Sequence, residues 1–392
     1  MKLLRFQYLS HRRVLTLAVT VMLSSMLFSM TAISLLGFYR GFNAYLGEGE
    51  DVVVVYDRRS STPFTGLVPA YLAERISMVN GVLASSPEVI APCIVKGESV
   101  FLRGIVPEDF FKLSGLKMVE GEVFELGDVD SAIVGRNVAE RLKLKLGEVL
   151  LVHGVLADRY VELRVMGVYD SQSFMDDEVL APIYVGQWLR GTDYDHVTLI
   201  RVKIDRRVLN PIVVLEALSE EAPEPPPPSS EGGGSPEETI IPRVTVRFRA
   251  EDVGIEEAAR FMKSYMERYG VTRESLLTLS VMVFLFSSAT IIAASKTLVV
   301  QHAGEVKVLR SLGASKKLLK MDILAKLLPW LTAATLAGIA LAVATLTVIQ
   351  GYGCLRVLSH TVPVQLDPLV IALSFALTIL LSSISVIKSE IP

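Results

Sequence analysis

Four stretches of this sequence run the width of a membrane without one charged side chain. They cover residues 14–39, 275–295, 327–355 and 368–387, with lengths of 26, 21, 29 and 20 residues. A helix needs about 20 apolar residues to cross ~30 Å of hydrocarbon, and the core helix of a soluble protein rarely goes so far without a charge. The reading is four transmembrane helices. They are the source of a composition that is 51% apolar. The first stretch follows a basic start, as a secretory signal would. Its length exceeds a signal core, however, and Leu36, Gly37, Phe38 and Tyr39 offer no small-x-small cleavage site, so it reads as an uncleaved anchor.

Orientation follows from Lys and Arg in the short flanking segments, because cytoplasmic loops retain positive charge during insertion. Lys2, Arg5, Arg12 and Arg13 precede the first stretch; Lys296, Lys307, Arg310, Lys316, Lys317, Lys320 and Lys326 lie between the second and third; only Arg356 lies between the third and fourth. The expected topology is therefore a cytoplasmic N-terminus at 1–13, spans at 14–39, 275–295, 327–355 and 368–387, an extracytoplasmic domain at 40–274, a cytoplasmic loop at 296–326, a short outer loop at 356–367 and a cytoplasmic C-terminus at 388–392. Residues 41–274 hold 25 Lys+Arg against 38 Asp+Glu, and the remainder holds 14 against 4. The near-neutral total thus hides two regions of opposite sign, and nothing in it points to nucleic acid.

The long outer segment reads as mixed α and β. Strands are expected at 51–56, 99–104, 132–134, 149–153, 160–166, 197–204 and 243–248, with helices at 71–79 and 137–144 and from Gly254 onward, where Ala258, Phe261, Met262 and Tyr265 form a stripe. Residues 216–238, with Pro225 to Pro228 and Gly232 to Gly234, cannot pack a core, and 220–238 reads as a flexible insert. Val100 to Phe110, Glu120-Gly-Glu-Val-Phe124, Ala132-Ile-Val-Gly-Arg-Asn-Val-Ala139, Leu142 to Gly147 and Val165-Met-Gly-Val168 follow one another in an order that resembles the exported core domain of MacB-type permeases. Within this run Asn137 is expected to cap a helix beginning at Val138. The resemblance implies an α+β extracytoplasmic domain, of porter-like βαβ units with an inserted small lobe, on a four-helix transmembrane domain.

The segment Glu305, Val306, Lys307, Val308, Leu309, Arg310, Ser311, Leu312, Gly313, Ala314 and Ser315 is similar to the E-x-G-x-L-R-A-L-G-A-S signature of FtsX-like permeases. Lys307 replaces the glycine of that pattern, and Gln301-His-Ala-Gly304 stands where arginines usually precede it. The residues themselves agree with a short helix over 305–312: Val306, Leu309 and Leu312 recur at helical spacing, Gly313 can take φ > 0 past the end, and Ser315 can cap the next helix. The resemblance implies that this coupling helix docks on a separate ABC ATPase subunit, which binds the ATP and Mg, while this chain binds no cofactor and pairs with a second permease. An interfacial helix that only touches lipid is the alternative, favoured by Lys316, Lys317 and Lys320.

No G-x-x-x-x-G-K-[ST] phosphate loop occurs, and no H-E-x-x-H. His11, His153, His196, His302 and His360 stand apart from one another, so no metal ligand set and no catalytic constellation emerges. The run Asp176-Asp177-Glu178 reads as a solvated loop, with a cation site as the alternative. Cys93 and Cys354 both fall on the outer side, where a disulfide is permitted and unpaired thiols are the simpler reading. Asn and Gln together number ten, a scarcity that points to a thermophilic source. Within the spans, Ala334, Gly338 and Ala342, Ser25 and Ser29, and Ala372 and Ala376 repeat at four-residue spacing and are expected to form close helix contacts. The function expected is that of an ABC transporter permease subunit, not itself an enzyme, moving a peptide, lipid, lipoprotein or drug. A division-type scaffold that activates an extracytoplasmic hydrolase is the alternative, and the large outer domain argues against it. Protease added to intact cells is expected to cut first within 220–238; cleavage there only after lysis would reverse the topology.

Overall fold

The computed structural model describes residues 9–47, 51–60, 62, 64–208, 210, 252–268, 272–351, 356–357, 359–362, 364 and 366–388. Two compact units result: Met1–Gly41 with Gly270–Val357 and Thr361–Pro392, and Phe42–Tyr269 with Leu358–His360. The insert at 220–238, the expected strand at 243–248 and Cys354 lie outside the described residues. Helix α1 (His11–Ala44) opens the chain. The mixed unit follows with β1 (Val52–Asp57), β2 (Val68–Pro69), α2 (Tyr71–Ser77), β3 (Val82–Val95), β4 (Glu98–Ile105), α3 (Pro107–Leu113), β5 (Lys117–Gly121), β6 (Ser131–Gly135), α4 (Arg136–Leu142), β7 (Val149–Gly154) and β8 (Arg159–Asp170). After a 3-10 turn at Phe174–Asp177 come β9 (Glu178–Pro182), α5 (Ile183–Arg190), β10 (His196–Val197), β11 (Leu199–Ile204), β12 (Val253–Glu257) and α6 (Ala258–Arg268).

β3, with 14 residues, organises this unit. Its first half pairs antiparallel with β11, which carries β1 and then β12 as an open wing. Its second half pairs with β4 on one side and, at Cys93 to Val95, with β7 on the other. From there the pairings β4–β9, β9–β6, β6–β8 and β8–β7 return to β3, so six strands close a ring. Closure removes exposed strand edges and lets alternate residues fill the interior. That interior is Cys93, Val95, Val100, Leu102, Val134, Val152, Leu163 and Val165, with α4 and α5 contributing Val138, Leu142, Val185 and Leu189. The wing has its own core of Val53, Val55, Leu72, Ile76, Ile200 and Val202. The two lobes expected from the family resemblance are thus two cores along one sheet.

The structure revises three local expectations. Residues 253–257 form the edge strand β12, and the helix bearing Ala258, Phe261, Met262 and Tyr265 starts only after it. Asn137 is not a cap: α4 starts one residue earlier, its cap position is Gly135, and the Asn137 amide donates to Asp177 Oδ2 at 3.0 Å. Asp176, Asp177 and Glu178 are 7%, 0% and 0% exposed, so this run is no solvated loop. Nor is it a cation site, since protein donors take its oxygens: Arg141 lies 2.7 Å from Asp177, and Arg103 lies 2.7 Å from Glu178.

Glu178 belongs to a buried charge network across four adjacent strands. Arg103 on β4 bridges Glu178 on β9 and Glu88 on β3, and Arg201 on β11 donates to Glu88 and, at 2.9 Å, to Ser114 Oγ. Tyr45 donates to Glu178, and the His360 ring stacks on Phe101 with Nε2 3.3 Å from Glu178. Two carboxylates meet two guanidiniums, so the charges balance. Burial alone would raise the Glu178 pKa, but the Arg103 charge and hydrogen bonds from His360 and Arg103 hold it down at about 2. Asp176 has no such cation; burial pushes it up to about 6 despite the Ser171 hydrogen bonds.

The helical unit comprises most of α1 together with α7 (Arg273–Gln301), α8 (Ala303–Ser311), α9 (Lys316–Gly351) and α10 (Pro368–Lys388). Four of these, all but α8, are long and apolar enough to cross a membrane. α9 has 36 residues, roughly 54 Å at 1.5 Å per residue, and exceeds ~30 Å of hydrocarbon. Its first turns begin the helix expected after the Ser315 cap, and there Lys326 Nζ pairs with Asp322 at 2.6 Å. The small-residue stripes behave differently. On α9 and α1 they meet: a Cβ on Gly338 would strike the Met22 carbonyl, and Ser25 Oγ donates to Thr335 O at 3.3 Å. On α10, Ala372 and Ala376 are exposed. Its packed face is Ser374, Thr378, Ser382 and Ser385, and Thr378 and Ser382 satisfy their hydroxyls on carbonyls four residues back.

The close approach at Gly338 sets a first expected outcome. Gly338→Leu forces α1 and α9 apart at a cost of ~1–3 kcal/mol and should lower the melting temperature of the solubilised chain. Leu336→Ala, which trims an exposed side chain of the same helix, should lower it much less. The second outcome concerns pH. Asp176 has a folded pKa above its ordinary 3.8, so its contribution to stability is complete below about pH 4 and is lost as pH rises through about 6. Hydrogen exchange around β8 and β9 in the full-length chain should accelerate across that window by up to ~3 kcal/mol of protection, and Asp176→Asn should abolish the dependence.

Candidate functional site

The segment singled out by sequence forms a compact elbow in the helical unit. α7 ends at Gln301, His302 occupies the corner, and α8 runs Ala303–Ser311. Gly313 takes φ +92°. Its N–H reaches Arg310 O at 2.9 Å, and the Ala314 N–H reaches Leu309 O at 3.2 Å. This paired arrangement closes the last carbonyls of α8. Ser315 then accepts from Leu318 N at 3.3 Å and begins α9. The glycine stop and the serine cap stand where the sequence placed them. The result is one short rigid helix held between two longer ones, with Arg310 in the last turn complementing the carbonyl end of its dipole.

The expected stripe of Val306, Leu309 and Leu312 is divided. Val306 is fully buried and Leu309 is 8% exposed, both packed with Val14, Leu17, Leu298 and Leu319. Leu312 is 68% exposed. The reason is angular: at 100° per residue, Leu312 lies roughly 120° around the axis from Val306 and only about 40° from Val308. Val308 is likewise exposed, at 60%. The outward surface is therefore Val308 and Leu312 as an apolar pair, bordered by Glu305, Lys307, Arg310 and Ser311, with Gly313 and Ser315 at its end and Ala314 half-buried beneath. The three apolar residues that recur at helical spacing therefore do not share one face. An apolar pair bordered by charged and polar side chains on a fixed helix suits docking into a polar-rimmed groove on a protein surface.

Among the described residues, the remaining chemistry-bearing side chains are dispersed. No group of His, Cys, Asp or Glu among the described residues is arranged to hold a metal ion. His153 and His196 pair with Asp158 and Asp193 near the surface. Cys93 is unpaired, fully buried, and its thiol is pushed up to about 12 by burial, which makes it a packing residue rather than a nucleophile. A cleft in the mixed unit is lined by Tyr56, Ser60, Glu256, Phe261, Tyr265 and Arg268, with Glu256 near the Tyr56 hydroxyl at 3.5 Å and no second acid or base pair.

Residues 14–218, just over half of the chain, match the family model of the MacB-like periplasmic core domain. Two solved structures are similar. The periplasmic region of MacB from Actinobacillus actinomycetemcomitans is 16% identical with a TM-score of 0.36, over 55% of this chain and 92% of that one. The extracellular domain of the noncanonic ABC-type transporter YknZ from Gram-positive bacteria is 16% identical with a TM-score of 0.32, over 39% and 83%. No curated protein matches the sequence. The family match spans the first apolar helix and most of the mixed unit, and the chain belongs to the MacB-like periplasmic core domain family, as a membrane protein of the MacB/FtsX-like ABC transporter permease type with an extracytoplasmic domain.

Proposed function

We propose that this chain converts ATP binding and hydrolysis on a separate ABC ATPase subunit into movement of its extracytoplasmic domain, exporting or extracting a peptide, lipid, lipoprotein or drug. The observation that carries the reading is the divided face of α8. Its inner side is fixed to α1, α7 and α9 through Val306 and Leu309, while Val308 and Leu312 stand out beside Lys307 and Arg310. In the topology given by Lys and Arg placement, α8 is cytoplasmic, as are both termini, and two permeases act together. A docked ATPase pushing on α8 then moves a packed group of helices rather than one flexible loop, since close-packed side chains transmit displacement.

The experiment is a paired substitution in the full-length chain co-expressed with its ATPase. Leu312→Asp places a charge in a desolvated contact, costs ~2–4 kcal/mol of binding, and should yield a normally inserted permease that no longer co-purifies with the ATPase. Leu309→Asp buries that charge inside the helical unit and should instead reduce the amount of folded protein. Retention of the ATPase by a Leu312→Asp, Val308→Asp chain contradicts the reading.

A further inference from the structure

The corner between α7 and α8 is built on one imidazole. His302 is 1% exposed. Its Nδ1 lies 2.8 Å from the Leu298 carbonyl oxygen, which can only accept, so Nδ1 carries a hydrogen. Its Nε2 lies 3.1 Å from the backbone nitrogen of Ser10, which can only donate, so Nε2 presents its lone pair. Both contacts together require the neutral ring with its hydrogen on Nδ1. Ser10 is the residue whose carbonyl accepts the first helical hydrogen bonds of α1, from Arg13 and Val14 at 3.1 Å each. Its own N–H is one of the donors that a helix start leaves without an internal partner. The bridge is reciprocated by Arg13, which donates to the Gln301 carbonyl.

α8 is joined to α7 and α9 by the chain itself, whereas among the described residues it reaches α1 through packing and through this corner. Apolar packing resists separation without fixing direction, whereas a hydrogen bond is directional. We propose that His302 is the positioning residue that makes α1 follow α8: a neutral-imidazole clasp between the coupling elbow and the start of the first span. A proton on Nε2 removes the lone pair and opens the clasp. The charged residues towards this end of the surrounding elements are His11, Arg12 and Arg13 on α1, Lys296 on α7, Glu305, Lys307 and Arg310 on α8, Lys316, Lys317, Lys320, Asp322 and Lys326 on α9, and Lys388 on α10, while Arg40, Arg273 and Glu274 stand at the opposite ends of α1 and α7. Cations predominate, Glu305 is exposed and Asp322 pairs with Lys326, so an imidazolium there gains no carboxylate in exchange for the lost acceptor.

This proposal rests on α8 being the coupling segment. The test uses the full-length chain in lipid nanodiscs, 15N-labelled at histidine and spin-labelled at Arg12→Cys and Ser311→Cys with Cys354→Ser. The resonance that disappears in His302→Gln identifies the ring. The clasp requires the hydrogen on Nδ1 and a narrow label distance. In His302→Gln, whose amide oxygen still accepts, the distance stays narrow; in His302→Leu it broadens. A hydrogen on Nε2, or a distance indifferent to the leucine substitution, overturns the clasp. Clasp signatures in a chain whose α8 binds no ATPase defeat the coupling reading alone, and ATPase binding without them defeats the clasp alone.

Discussion

Hydrocarbon supplies no hydrogen-bond partners, so every backbone group within it must be satisfied inside a helix. This constraint fixes where the helical unit can bend. At the elbow joining α7, α8 and α9, each departure from helix carries its own closure: the His302 N–H meets the Val299 carbonyl, Gly313 and Ala314 close the end of α8, and Ser315 opens α9. The elbow is therefore a formed joint of defined angle. Its inner residues, Val306 and Leu309, belong to the same apolar cluster as the first turns of α1 and α9. A force applied to the outer face of α8 is met on its inner face by the packed side chains of Val306 and Leu309.

The mixed unit meets a different demand, since it buries two carboxylates and two guanidiniums at the junction of its two cores. Desolvating ions costs several kcal/mol each, and their mutual attraction offsets this only when the remaining donors and acceptors are also met. Here they are: Arg103 satisfies both glutamates, Arg201 finds Ser114 and the Leu46 carbonyl, and Tyr45 completes Glu178. The network joins β11, β3, β4 and β9, the strands at which the open wing passes into the closed ring. Its geometry links the two cores more specifically than apolar packing, which tolerates sliding. Arg190 performs a related task without a carboxylate, donating to the carbonyls of Phe64, Gly66 and Ile90 and tying a loop to the ring.

Legibility in the sequence followed the range of the interaction. Charge-free length identified the four long apolar helices, and the caps at Gly313 and Ser315 were legible because they act within a few residues. β3 was not expected, because Pro87 and Pro92 argue against a central strand. Pro92 falls between the stretch of β3 paired with β11 and the stretch paired with β7, a gap that tolerates a missing donor. Asn137 looked like a cap because its partner, Asp177, is distant in sequence. Asp176, Asp177 and Glu178 looked solvated for the same reason. The counter-ions of Asp177 and Glu178 arrive from α4 and β4, and no local pattern records that. Spacing alone places Leu312 beside Val308 rather than in line with Val306. The burial of Val306 and Leu309 depends on α1, which no local window includes.

The most direct test of the account is site-specific photo-crosslinking in cells that express the chain with its ATPase. A photoreactive side chain in place of Leu312 should capture the ATPase subunit, and one in place of Leu309 should instead react within the permease, with α1 or α9. Capture of the ATPase from position 309 but not from 312, or of lipid alone from 312, would contradict the assignment of α8 as the coupling helix with its outer edge as the contact.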